Sequence, residues 1–158
     1  MKPKWMLVAA AGVAVITITA FLVTREPPSD PVLVNQSLGK VAQAVDREWT
    51  NRIVGMLHED YSDDMGNSRA SLRANLAQAF WGPRNFEVVW DHVAITDSTE
   101  ETITADVNFE VQQYNHDTLV STHRGVFTVT FLRDGGDVKV LRVEGLEEIA
   151  ESVEASYG

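Results

Sequence analysis

The sequence predicts an α+β domain, helices first and an antiparallel sheet second, carried behind an apolar N-terminal segment. Three observations support this. Residues 34–80 repeat their apolar side chains at three- and four-residue steps, the period of one helix face. Residues 86–144 change to period two, with Ile103, Ala105, Val107, Phe109 and Val111 alternating against Thr102, Thr104, Asp106, Asn108 and Glu110. Ahead of both, Trp5 to Val23 runs 19 residues without a charge.

As a helix, at about 1.5 Å per residue, that uncharged run spans roughly 28 Å, close to the hydrocarbon thickness of a bilayer. It is apolar all round and has no polar face for an ordinary core helix to present to water. Lys2 and Lys4 precede it, while Arg25 and Glu26 offset each other behind it. Positive charge is retained on the cytoplasmic side, so the rest of the chain is expected to be exported to the periplasm or cell exterior. The reading is a single-pass anchor over residues 1–24, meeting the membrane through residues 5–23. The alternative is a secretory signal cleaved after Ile18-Thr19-Ala20. Because the apolar run continues through Phe21, Leu22 and Val23, retention is favoured. Three prolines between Glu26 and Pro31 then make residues 25–31 an extended spacer.

The remaining residues, 32–158, form one domain of ordinary size. The whole chain of 158 residues carries 13 Lys and Arg against 23 Asp and Glu, a charge of −10. Acidic balance argues against nucleic acid, which is held mainly through Lys and Arg. It also matches the sign of anionic lipid headgroups, so the domain is expected to stand off the membrane surface. The absence of Cys excludes disulfides, thiolate metal sites and a cysteine nucleophile.

Within the domain, Val34, Leu38, Val41, Val45, Trp49, Ile53 and Met56 trace one apolar stripe. The stripe reads as a helix ending by Tyr61, with a break near Glu48-Trp49-Thr50 left open. Ser62-Asp63-Asp64-Met65-Gly66-Asn67 supplies turn chemistry. A second helix starts with Ser68 or Asn67 as N-cap, shows Leu72, Leu76, Ala79 and Phe80 on one face, and stops at Trp81-Gly82-Pro83. Four strands follow: Phe86–Ile95, the alternating run from Thr102 to Val111, Leu119–Leu132 and Val138–Glu144. Short turns at Tyr114-Asn115-His116-Asp117 and Asp134-Gly135-Gly136-Asp137 imply a meander in which sequence neighbours pair. The tail sets Leu146, Ile149 and Val153 among Glu147, Glu148, Glu151 and Glu154, as a short docked helix or an acidic end.

Leu57-His58-Glu59-Asp60-Tyr61 closing one helix, Gly66-Asn67-Ser68-Arg69 opening the next, and the order of the following elements resemble the nuclear transport factor 2-like superfamily. That superfamily includes ketosteroid isomerases and SnoaL-like polyketide cyclases. The resemblance spans nearly all of residues 35–145. It implies a cone-shaped α+β fold in which helices and a curved sheet enclose a pocket, and in which relatives often dimerise through the outer sheet face. One departure is the last strand. Many relatives show a Gly-x-Trp-Lys-Ile-like stretch there, where this chain has Asp137-Val138-Lys139-Val140-Leu141.

On that fold, period two suggests which side chains look inward. His123 shares a side with Phe127, Val129 and Phe131, and His92 with Trp90 and Phe86. Histidine titrates near neutrality, so His92 and His123 are the catalytic candidates, an acid/base pair beneath a lining of Tyr61, Trp81, Trp90, Phe109 and Phe127. Asp46 is a further carboxylate near the expected mouth, and Asp106 falls on the outer side. The outer face is rich in Thr, and Glu110, Arg124 and Thr128, with Val126 and Leu132, are its candidate interface residues. His58-Glu59-Asp60 and Asp63-Asp64 cluster donors but lack His-x-x-x-His or EF-hand spacing, so no metal is expected. Neither Gly-x-Ser-x-Gly nor a phosphate-binding Gly-rich loop is present, and no cofactor is expected. The function expected is a binding or assembly module, with a small apolar ligand in the cone or a homodimer through the outer face. Two alternatives stand beside it. One is an isomerase, dehydratase or cyclase using His92 and His123 with Tyr61 or Asp46. The other is a scaffold subunit of an envelope complex, similar to the anchored inner-membrane components of type IV secretion systems.

Overall fold

The structure, a computed structural model, describes residues 27–82 and 84–147. The expected anchor over residues 5–23 and the acidic tail beyond Glu147 lie outside the described residues. Among the described residues no helix is long and apolar enough to cross a membrane.

Helix α1, Asp30–Asp46, begins four residues ahead of the apolar stripe, because Ser29 and Pro31 supply a helix start. Proline is well placed in a first turn, where its missing N–H has no helical partner to lose, and Asp30 favours the positive end of the helix dipole. Leu33, Val34, Leu38 and Ala44 are its buried face. The chain then reverses at Glu48, whose φ of 55° no helix accommodates, and resumes as α2, Thr50–Gly55. The single stripe is therefore two helices, divided where the sequence left a break open.

Residues 57–61, expected to finish a helix, instead begin strand β1, Leu57–Asp63. Leu57, Tyr61 and Asp63 are buried there while Glu59, Asp60 and Ser62 are exposed. The strand forms because the last strand offers it a free edge: β1 pairs in parallel with β5, Leu57 opposite Val140 and Asp63 opposite Val143, with the register shifting in between. The partner lies some 80 residues away in sequence, so local periodicity does not reveal it. Helix α3, Arg69–Ala79, starts as expected, with Ser68 and Ser71 closing a reciprocal capping box. Its apolar face is only half-covered, and none of its residues is fully buried.

Strands β2 (Arg84–Ser98), β3 (Thr102–Asn115), β4 (Thr118–Asp134) and β5 (Asp137–Glu144) pair antiparallel in sequence order. The sheet runs β1-β5-β4-β3-β2, the expected meander with β1 added at its edge. One end of this curved sheet holds the core. There Ile103, Val107 and Phe131, at 0% exposure, meet Val34 of α1, with Val129, Val138 and Val140 around them. A clamp fixes α1 to that end: Arg133 Nη2 sits 2.8 Å from Asp30 Oδ1, and Ser98 Oγ donates to Asp30 Oδ2. Arg133 also donates to Thr99 O at 3.0 Å, so the helix start, the β2–β3 turn and β4 share one guanidinium.

Candidate functional site

On β3 the strict alternation of buried and half-buried residues holds from Ile103 to Phe109, then gives way to uniformly half-buried positions from Val111 to Tyr114. On β4 the same change falls between Val129 and Phe127. The inner sheet face thus passes from core to an open mouth, lined by Phe86, Val88, Val111, His123 and Phe127. Phe109 and Phe127 close the mouth against the core, their rings 4.4 Å apart and tilted by 46°. Trp90 lies half-buried on the same face, its indole N–H donating to Asn35 of α1 at 3.4 Å. Phe86 meets Phe80 at the end of α3, centroids 6.5 Å apart.

His123 stands opposite Val111 on this inner face, half-buried, as its strand period predicts. His92 does not join it. The β2–β3 register runs Trp90 opposite Phe109 and then His92 opposite Asn108, so Asp91 is an extra residue in β2. Such a bulge exchanges the faces of everything beyond it. Val93 and Ile95 take the inner side, and His92 is exposed on the outer one. A second insertion, at Thr96, restores the original sense and brings Ser98 inward to Asp30. The expectation that Trp90 carries His92 inward fails for this reason. Trp81 also departs from its expected place in the lining: at 90% exposure it stands in solvent beyond the end of α3.

Tyr61 is buried in the core and donates its hydroxyl to Asp63 Oδ2 at 3.0 Å. Burial above all, with the neighbouring Asp63 charge, pushes its phenol far above the ordinary value of 10.0. Asp63 also accepts from the backbone and side chain of Asn67, at 2.8 and 3.0 Å. The pair therefore holds the β1–α3 turn, with Tyr61 as a neutral donor. Asp46 is exposed and lines a shallow depression with Tyr114 and His116.

The outer face carries the candidate interface residues. Arg124 pairs with Glu110, and Thr128 Oγ1 donates to Asp106 Oδ1 at 2.7 Å. Hydrogen bonds from Gln112 and then Arg124 hold the Glu110 carboxyl below the usual range. A depression of about 360 Å³ crosses this face between Val89, Asp91, Asn108, Glu110, Arg124 and Val126. Val89 and Val126, each about half exposed, give it an apolar rim. Cation-ligand geometry is limited to His58, Glu59 and Asp60 among the described residues, with donor atoms within 4.8 Å of one another. They are consecutive on an edge strand, and His58 Nδ1 already accepts from the Asp60 backbone N–H at 3.2 Å.

These elements and faces define a class: a curved sheet whose concave side is closed by helices at one end and left open at the other. Several solved structures share it. A protein of Novosphingobium aromaticivorans assigned as an aromatic ring hydroxylase superposes with a TM-score of 0.65 at 17% identity, over 73% of this chain and 86% of its own. The protein Aln2 from a Streptomyces species gives 0.65 at 11%, over 80% and 99%. A protein assigned as a scytalone dehydratase, also from N. aromaticivorans, gives 0.62 at 13%, over 81% and 85%. No protein-family model and no curated protein matches the chain by sequence. At these identities the likeness is one of fold, and the fold is the nuclear transport factor 2-like one.

Proposed function

We propose that the chain is a membrane-tethered, extracytoplasmic binding module, holding a small apolar ligand at the open mouth and a second copy or partner on the outer sheet face. The observation that supports this best is the bulge at Asp91, which puts His92 and His123 on opposite faces of the sheet. A proton donor and acceptor flanking one substrate need to converge within hydrogen-bonding reach. Here the mouth carries aromatic and aliphatic side chains around His123, with Ser121 donating to Gln113 beside it, a lining suited to retention rather than turnover. The outer face offers the half-exposed Val89 and Val126 about an Arg124–Glu110 pair, an apolar rim with a polar centre. The uncharged run before the proline spacer supports the tether.

Because the protein has no Cys, one introduced thiol reports location cleanly. Thr122→Cys, on the exposed outer face, is expected to react with a membrane-impermeant maleimide in intact cells, with the protein recovered in the membrane fraction. Labelling only after lysis would sink the exported reading, and recovery in the medium would replace the anchor with a cleaved signal. For the mouth, an uncharged naphthol titrated against the full-length protein in neutral detergent is the probe. Phe127→Ala is expected to weaken binding about tenfold, at roughly 1.4 kcal/mol for a lost aromatic contact, and His123→Ala to leave it within about twofold. If His123→Ala instead abolished a measurable isomerisation or dehydration, the enzyme reading would displace this one.

A further inference from the structure

In a chain this acidic, cations are expected to be neutralised, and among the described residues five are. Lys40, Arg124, Arg133, Lys139 and Arg142 each lie within ion-pair distance of a carboxylate. Arg47 and Arg52 stack on the ring of Trp49, at 4.9 and 5.5 Å from its centroid. Arg69 and Arg73 do neither among the described residues. Both face a groove of about 600 Å³ between α2 and α3, floored by Val54, Gly55 and Ala70. Four residues apart on α3, they share one helix face, with Cβ atoms about 6 Å apart.

Their contacts hold them in place without neutralising them. Arg69 Nε donates to Val54 O at the end of α2, at 3.0 Å, and Arg73 Nη2 donates to Asn51 Oδ1 at 2.6 Å. Each guanidinium has five N–H donors, so most of each fork is left for a ligand. Both positions are fixed by neutral acceptors before any ligand arrives, which lowers the entropy cost of binding. Glu59 is the carboxylate lining the groove, and it forms no ion pair with either arginine. The groove shares no lining residue with the mouth or with the outer-face depression.

We propose that the α2–α3 groove is an anion site, taking a carboxylate or phosphate group of a small ligand on the paired guanidiniums of Arg69 and Arg73. Guanidinium forks match both oxyanions in bidentate fashion, and two of them suit a dianion. This inference stands apart from the function proposed above.

Inorganic phosphate and succinate, titrated separately at low salt against the full-length protein in neutral detergent, test it by calorimetry. Saturable binding of at least one is expected: phosphate alone assigns a phosphoryl ligand, succinate alone a carboxylate one. Arg73→Gln is expected to weaken binding about tenfold, through loss of charge-assisted hydrogen bonds on an exposed residue whose removal leaves the core intact. Glu59→Gln is expected to tighten it about threefold by removing a neighbouring like charge. Arg142→Gln, which removes an equal charge elsewhere, is expected to leave it unchanged. No saturable binding of either anion overturns the proposal. So does an Arg73→Gln protein that binds like the parent, or an Arg142→Gln loss as large as that of Arg73→Gln, which would mean diffuse surface attraction.

Discussion

Along β3 and β4, the end clamped by Arg133 packs Ile103, Val107 and Phe131 out of contact with water, while the end toward His123 leaves Val111 and Phe127 half-open on the same inner face. The two ends share strands, pairing partners and hydrogen-bonding pattern. They differ in how tightly α1 packs above them: its start is pinned through Asp30 and buries Leu33, Val34 and Leu38 in the core, while its far end leaves Asp46 exposed beside Tyr114. Sheet pairing by itself therefore does not decide where the stability resides; the helix cover does. The mouth is free to vary its chemistry because the core does not depend on it.

Truncating a core residue should show this most sharply. Phe131→Ala is expected to cost about 3–5 kcal/mol in denaturant unfolding, the range for a buried aromatic removed from a rigid core. A loss below about 1 kcal/mol would break the distinction between the ends. Next comes Gly145, where φ is +98° and an added Cβ would stand 2.8 Å from Val126 O. Gly145→Ala is expected to cost about 1–3 kcal/mol, since neither backbone is free to shift. Arg133→Gln should cost about 1–2 kcal/mol at neutral pH by unpairing Asp30 while keeping a hydrogen-bonding side chain.

The clamp also carries a pH signature. Ser98 and then Arg133 hold the Asp30 carboxyl below its ordinary value of 3.8. A carboxyl with a lowered folded value stabilises the fold above its unfolded value, and that stability is lost as pH falls through the folded one. Parent protein should therefore lose stability on acidification below pH 3.8, and the Arg133→Gln protein should lose less over the same interval. Equal slopes would show that Arg133 contributes nothing to this pH dependence, leaving it to Ser98. The smallest effect is expected at the mouth, where Val111→Ala should cost no more than about 1 kcal/mol for a half-buried methyl pair.

Much of this architecture was legible in the residues. The period-two run from Ile103 to Val111 marked a half-buried strand, Asp134-Gly135-Gly136-Asp137 marked a hairpin, and Ser68 marked a helix start. Each signal is local, with its cause within a few residues. What escaped was non-local. β1 is a strand only because Val140 and Val143 offer an edge to pair with, and nothing between Leu57 and Asp63 announces a partner so far along the chain. His92 was misplaced because a bulge is a property of two paired strands: counting by twos from Phe86 and Trp90 runs on to His92, whereas the apolar residues change phase after Trp90, to Val93 and Ile95. Trp81 looked like a pocket residue because it is large and aromatic, yet only its distance from the sheet decides exposure. The Arg69–Arg73 pair was visible as an i, i+4 spacing. Its meaning emerged only against Lys40, Arg124, Arg133, Lys139 and Arg142, each beside a carboxylate, and Arg47 and Arg52, stacked on Trp49.

The inserted Asp91 has one more consequence. Side chains in a strand alternate between two faces, so position along β2 carries a parity, odd or even, that an extra residue inverts. Substitutions anywhere in the strand leave that parity intact, whereas losing Asp91 would turn Trp90 and Phe86 to the outer side or Val93 and Ile95 out of the core. The strand can be rewritten letter by letter but not recounted.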